Sequence, residues 1–233
     1  MDHIAANWLE LNKRVADAAR RAGRSPAEVT IVAVTKTRSA AEVSAAIAAG
    51  VTDVGENRIQ EASDKRALTG DAARWHLIGQ CQRNKAGRAV DIFDIVHSVD
   101  TSRLADALNR RAAESDRHLE ALLQVNTAGV QQQGGVEPTQ LPALLAHVAD
   151  LSHLHVTGLM TIAAHSADTD EVRSCFRQLY ALAQENRHRH PAGLDVLSMG
   201  MSGDFETAIE EGATMIRVGT VLFGERATDG RPA

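Results

Sequence analysis

The sequence has few aromatic residues and few cysteines. Phe, Trp and Tyr together make up 3% of its 233 residues, and Tyr180 is its one tyrosine. Any reaction that needs a tyrosine as acid or base therefore has a single candidate. The two cysteines, Cys81 and Cys175, stand far apart and form no CxxC pair. That pattern argues against a disulfide framework or a cysteine-built zinc site and points to a reducing compartment. No apolar run approaches the roughly 20 residues that cross a bilayer. The first 23 residues carry charge throughout, unlike a secretory leader, so the expected location is the cytoplasm. Positive charge is not in excess either: the formal net charge is −5, which gives no electrostatic reason to expect nucleic acid. The short basic run from Arg187 to His190 reads as the solvated end of a helix, where cations are favoured. The ten histidines include no HExxH pattern, so no metal site is expected.

What is present is alternation. Ile4, Trp8, Leu11, Val15 and Ala18 fall at helical spacing and predict an N-terminal helix over residues 1–22, stopped by Gly23. Eight β-branched or apolar runs then follow: 30–35, 52–54, 75–79, 95–99, 121–125, 155–160, 194–198 and 215–218. Between them lie helical stretches at 39–49, 58–68, 84–89, 101–114, from Pro138 onward, 169–187 and 204–211. Thr101 is placed to cap its helix, and Pro138 suits a first helical turn. Strand–helix alternation of this kind implies parallel β/α units. The count fits one domain, a closed (β/α)8 TIM-type barrel with an extra N-terminal helix and a loose tail at 227–233. An open doubly wound sheet is the competing arrangement, but its GxGxxG turn is missing.

Barrel sites form at the carboxyl ends of the strands, so those ends are where chemistry is sought. Lys36 directly follows an apolar strand. A lysine there is costly without a task or a partner, and a desolvated amine can act as a Schiff-base nucleophile. A snorkelling lysine is the plainer account. Ser198 to Asp204 is a second candidate: Ser202 and Gly203 precede a short helix, where backbone N–H groups attract anions, although simple helix capping would also explain them. Gly219-Thr220 adds a flexible turn and a hydroxyl. Arg217 lies between apolar neighbours in the last strand and should face a partner, which is either a ligand near Lys36 or an ion pair with Glu56 or Glu225. The end of the third strand offers His76 and Gly79, and His76 and His97 read as satisfied core histidines. Cys81 reads as inert, and Glu210-Glu211 as a solvated helix face.

The runs Ile31–Thr37 (IVAVTKT), Gly55-Glu56-Asn57, Trp75–Gly79, Asn84-Lys85, His97–Asp100 and Gln124-Val125-Asn126 also form a signature. They are joined by Gly158–Ile162, Ser198–Asp204 (SMGMSGD), Arg217–Thr220 (RVGT) and Phe223–Arg226. With these motifs the chain resembles, over nearly its whole length, the pyridoxal 5′-phosphate (PLP) homeostasis proteins, the proline-synthase co-transcribed family. The resemblance implies a barrel like the N-terminal domain of alanine racemase, with Lys36 holding PLP as a Schiff base. It makes Ser202, Gly219 and Thr220 phosphate ligands, Arg217 the partner of the pyridine nitrogen, and Asn57 and Met199 cofactor-lining residues. It implies a role in intracellular vitamin B6 homeostasis without an established catalytic reaction, as a monomer that could hand PLP to apo-enzymes. A PLP-dependent amino-acid racemase or isomerase is the alternative. A two-base racemase of the alanine type draws a tyrosine from a second domain, and this chain offers only Tyr180, on a predicted helix. A cofactor-free Schiff-base aldolase would leave the phosphate-like turns unexplained. The chain departs from the family pattern at Gln80-Cys81, at Gln133-Gly134-Gly135 and at Ala163. The second departure removes a lysine from the loop after strand five.

Overall fold

The structure is a computed structural model that describes residues 2–190 and 193–225; the expected tail at 227–233 lies outside them. Eight parallel strands pair in chain order and the eighth returns to the first, giving a closed barrel rather than an open sheet. They are β1 (Thr30–Val34), β2 (Asp53–Glu56), β3 (Arg74–Leu77) and β4 (Ile95–Val99). The circuit continues with β5 (Leu119–Gln124), β6 (Leu154–Met160), β7 (Val196–Ser198) and β8 (Met215–Val218). Helices cover the outside, so most strand residues are buried on both faces, as parallel sheets require. The chain approaches itself closely at Gly158 in β6, where a Cβ would stand 1.8 Å from the Val196 carbonyl oxygen. Only glycine fits there.

The N-terminal helix α1 (Asp2–Arg21) packs against α2 (Ala40–Ala48), α8 (Phe205–Glu210) and α9 (Thr220–Phe223). It therefore covers the seam where the last strand meets the first. Ile4, Leu11, Val15 and Ala18 form its buried stripe. Polar contacts fix its position: Arg14 bonds Glu206 and lies 4.7 Å over the Phe205 ring, and Asn7 donates to the Leu222 carbonyl at 2.9 Å. The remaining helices are α3 (Ile59–Thr69), α4 (Ala86–Ile92), α5 (Ser102–Glu114), α6 (Leu141–Val148) and α7 (Thr169–Asn186). Their starts follow local chemistry. Ser39 and Glu42 form a reciprocal capping box on α2, Thr101 accepts from the Leu104 amide, and Asp168 accepts from the Asp170 amide.

Four expectations change. Pro138 opens a 3-10 turn (Pro138–Gln140), and α6 begins only after it. Gly219-Thr220 is not a loose turn but the start of the short helix α9. Glu210 and Glu211 are not a solvated face: they clamp Arg173, Arg177 and Arg21 between α7, α8 and α1 at 2.6–3.1 Å. His76 lies inside β3 rather than at the end of its strand; it and His97 are the fully buried, hydrogen-bonded core histidines the sequence suggests.

Gly158→Ala is expected to lower the unfolding free energy in urea by about 3 kcal/mol, because the added carbon overlaps backbone. Gly203, where a Cβ would meet nothing within 4 Å, is the control. Gly203→Ala should stay within about 0.5 kcal/mol of the wild type.

Candidate functional site

A cavity of about 720 Å³ opens at the carboxyl ends of the strands. Lys36, Asn57, Ser202, Arg217, Gly219 and Thr220 all line it, so residues from both ends of the sequence meet around one space. Met199 is fully buried in the core and is not among the lining residues.

Lys36 owes its place to the turn that ends β1. The Arg38 amide donates to the Thr35 carbonyl at 2.9 Å, and Thr37 sits at φ +64°, a left-handed conformation unusual for a β-branched residue. Helix α3 holds that strained turn. Glu61 accepts the Thr37 amide at 3.0 Å, and Lys65 donates to the Thr35 carbonyl at 2.7 Å. Lys65 is nearly buried and also bonds Glu56 at 2.6 Å, while the Thr35 hydroxyl donates to the same Glu56 oxygen at 2.7 Å. Burial pushes the Glu56 carboxyl above its usual range, with the Lys65 and Thr35 hydrogen bonds opposing it. Lys65 thus neutralises the acid that β2 brings to the mouth. Lys36 itself makes no hydrogen bond or ion pair among the described residues, and its amine is free to react. Next to it, Asn57 sits against Gly79, where a Cβ would come within 2.5 Å of the Asn57 carbonyl oxygen. Close approach of the β2 and β3 ends therefore depends on glycine.

The turns after β7 and β8 form the opposite wall. Gly200 takes φ +92° and packs where a Cβ would strike Ala208 and Phe205. This conformation lets the Asp204 side chain accept from the Met201 amide at 2.5 Å. Across the gap, the Gly219 amide donates to the Ser202 hydroxyl oxygen at 3.1 Å, tying the two turns together. The amides of Ser202, Gly203 and Thr220 have no acceptor among the described residues. Together with the Ser202 and Thr220 hydroxyls they make a concave set of donors, which is the arrangement that holds an anion.

Arg217 comes from β8 and is almost fully buried. It pairs with neither Glu56 nor Glu225. Nη1 donates to the Ser198 hydroxyl at 2.7 Å and Nη2 to the Thr161 carbonyl at 2.9 Å. A guanidinium has five N–H donors, so donors remain for a ligand in the cavity. Burial pulls Arg217 down to about 10, with the Asp204 charge working against that shift, so it stays cationic at neutral pH. Burial raises the Asp204 carboxyl, with the Met201 amide and Arg217 opposing. Lys36, Arg38 and Arg217 against this one acid leave the cavity positive.

Part of the lining was not visible in the sequence. The loop 162–167 after β6 forms one side, with His165 and Ser166 on it, and Arg38, Gln133 and Thr207 also contribute. The rule that βα loops build barrel sites was the available signal, but this loop is made mostly of small residues that draw no attention. Tyr180 lies on α7, away from the cavity, beside Gly212. Cys81 has its thiol pushed up to about 11 by burial and is no ready nucleophile. The described residues hold no cluster of three metal-ligating side chains, and none of their helices is long and apolar enough to cross a membrane.

A parallel barrel that brings a free amine, a donor-lined seat and a buried guanidinium to one mouth belongs to the barrels that hold a small anionic ligand there. The family model of the alanine racemase N-terminal domain matches residues 1–227. The pyridoxal phosphate homeostasis protein of Pseudomonas aeruginosa is 42% identical, with 97% of each chain aligned. That of Escherichia coli K12 is 37% identical over 97% of this chain and 98% of its own. PipY of Synechococcus elongatus, solved with PLP bound, superposes with a TM-score of 0.84 at 40% identity, covering 95% of this chain and all of PipY. The chain belongs to the pyridoxal phosphate homeostasis proteins, which share the alanine racemase N-terminal domain.

The donor-lined seat has a direct test. Inorganic phosphate should raise the melting temperature in a concentration-dependent way, as a ligand of the folded state alone must. Ser202→Asp places a carboxylate in the seat and should abolish that rise.

Proposed function

We propose that this protein holds PLP in the cavity at the barrel mouth, through a Schiff base to Lys36, and works in intracellular vitamin B6 homeostasis. The observation that carries the reading is the convergence of three groups on one space: the unpaired Lys36 amine, the unclaimed amides of the β7 and β8 turns, and the buried Arg217. PLP presents an aldehyde, a phosphate and a ring nitrogen, which match these three in kind. The open space at Gly203 leaves room for the phosphate, with Ser202, Gly219 and Thr220 as its ligands. Asn57 borders the ring, and Met199 supports this wall from within the core. The bound PLP of PipY supports the same assignment.

When bound, PLP supplies an electrophilic carbonyl and an electron-accepting ring. Arg217 limits the second property. It is only a donor, so a ring nitrogen facing it must accept and stays unprotonated, which weakens the ring as an electron sink. Lys36 then acts as an anchor. A racemase would need a second base across the ring, and the chain's one tyrosine lies on α7 instead. In this reading the barrel is the protein's one domain and acts as a cytoplasmic monomer. It limits free aldehyde and releases PLP to apo-enzymes. Gln133 on the rim, which replaces a family lysine, leaves Lys36 as the amine committed to PLP.

Purified protein incubated with PLP should show a visible Schiff-base band, and borohydride followed by peptide mapping should place the label on Lys36. Lys36→Ala should lose both. A label elsewhere, or an unmodified Lys36 in excess PLP, would overturn the assignment. Solvent-deuterium exchange at the α-carbon of amino acids, present in the wild type and lost in Lys36→Ala, would favour the racemase instead.

A further inference from the structure

The barrel interior carries a line of polar groups that the cavity does not account for. It starts at Asp53, at the foot of β2. The Asp53 carboxylate lies 2.9 Å from Nε2 of His76 on β3. Nδ1 of His76 lies 2.9 Å from Nε2 of His97 on β4. Nδ1 of His97 lies 3.0 Å from the Ser198 hydroxyl at the end of β7. That hydroxyl in turn accepts from Arg217 of β8 at 2.7 Å. His76, His97 and Ser198 are fully buried, and none of them lines the cavity. Five side chains on five strands thus run through the barrel from its foot to the guanidinium.

The direction of every bond in this line is fixed by its ends. Arg217 can only donate, so the Ser198 oxygen accepts from it. The Ser198 proton then has one acceptor within reach among the described residues, Nδ1 of His97. His97 must therefore carry its proton on Nε2 and donate it to Nδ1 of His76. His76 carries its own proton on Nε2 and donates it to Asp53. Each ring nitrogen of the two histidines and the Ser198 hydroxyl has a partner along the line, which is costly to achieve by accident in a buried interior. The charges at the two ends agree with this order. Asp53 stays below the usual carboxylate range: burial works against its charge, and the hydrogen bonds from His76 and Thr52, with the charge of Arg74 nearby, outweigh it. His97 is held well below its usual range, first by burial and then by the charges of Arg217 and Arg74.

We propose that Asp53, His76, His97 and Ser198 form a one-way hydrogen-bond relay that positions Arg217 and sets how strongly it donates into the cavity. The four are positioning residues, since none lines the cavity. The proposal rests on the reading that the ring nitrogen of PLP faces Arg217. The relay gives Arg217 a fixed aim and a distant counter-charge without placing a carboxylate beside the ring. A carboxylate there would compete with the ring nitrogen for the guanidinium. The Thr161 carbonyl holds the other arm, so the head group cannot rotate away.

The test uses Ser198→Ala and His97→Leu, with Ser198→Thr as the conservative variant that keeps the hydroxyl. Both disruptive variants should still be labelled at Lys36 by borohydride. Each should shift the visible band of bound PLP and weaken its binding roughly tenfold, the scale of one hydrogen bond to a charged group. Ser198→Thr should restore band and affinity towards the wild type. Wild-type spectra and affinities in Ser198→Ala and His97→Leu would overturn the relay. A second readout needs no PLP: ¹⁵N NMR of the imidazoles in the ligand-free protein should show His76 and His97 both protonated on Nε2 alone, with His97 perturbed in Ser198→Ala. Any other tautomer in the wild type also overturns the proposal. If Lys36 is never labelled while the tautomers are as stated, the PLP reading fails and the ordered line stands.

Discussion

A cation inside a closed barrel is the constraint around which this structure is arranged. Arg217 cannot leave β8 without opening the sheet, and among the described residues no carboxylate forms an ion pair with it. The remaining strands answer it with neutral oxygens: the hydroxyl that ends β7 and the carbonyl that follows β6. Those choices make the barrel core unlike the layers of branched aliphatics that usually fill one, because Asp53, His76, His97 and Ser198 occupy places where valine or leucine would otherwise pack. The net positive charge at the mouth follows from the same choice. Burying an unpaired charge is unfavourable, so a ligand that brings negative charge to the mouth relieves a cost that the buried guanidinium carries on its own.

The second organising contact lies on the opposite wall. Lys65 from α3 reaches under the β1 turn to Glu56 and the Thr35 carbonyl, and Glu61, one helical turn earlier, takes the Thr37 amide. One helix thereby fixes both the left-handed residue and the lysine before it. The two walls are built differently. The lysine wall is held by a buried ion pair, and the anion wall by glycine conformations and a single bond between turns.

The alternation of apolar runs and Ala-rich stretches made the barrel legible from sequence, because strand and helix periods differ and helices here start or stop at recognisable residues such as Ser39, Thr101 or Gly50. Strand boundaries moved by one or two residues, since hydrogen-bond register depends on neighbours that a sequence does not show. Lys36 and Arg217 were conspicuous as charges in apolar runs, and the SMGMSGD and RVGT turns as glycine-rich ends. Other features were not visible in that way. His76 and His97 were legible as core histidines, but not their bond to each other, which needs β3 and β4 side by side in register. The roles of Lys65 and Glu61 depend on α3 lying beneath β1, which is a tertiary fact. The loop 162–167 lines the cavity through its backbone course rather than its chemistry, so residue type alone could not mark it.

The bond between Ser202 and the Gly219 amide has a thermodynamic meaning for whatever sits in the seat. The turns satisfy part of their hydrogen-bonding capacity between themselves. An incoming phosphate that takes the Gly219 amide must displace the serine oxygen, so one hydrogen bond replaces another. The net stabilisation is then smaller than the hydrogen bonds of the filled seat alone would suggest. Departure is eased for the same reason, because the two turns re-form their bond as the anion leaves and the Gly219 amide is not stranded without a partner. The seat thus exchanges one bond for another at Gly219, while the amides of Ser202, Gly203 and Thr220 supply the bonds that are new.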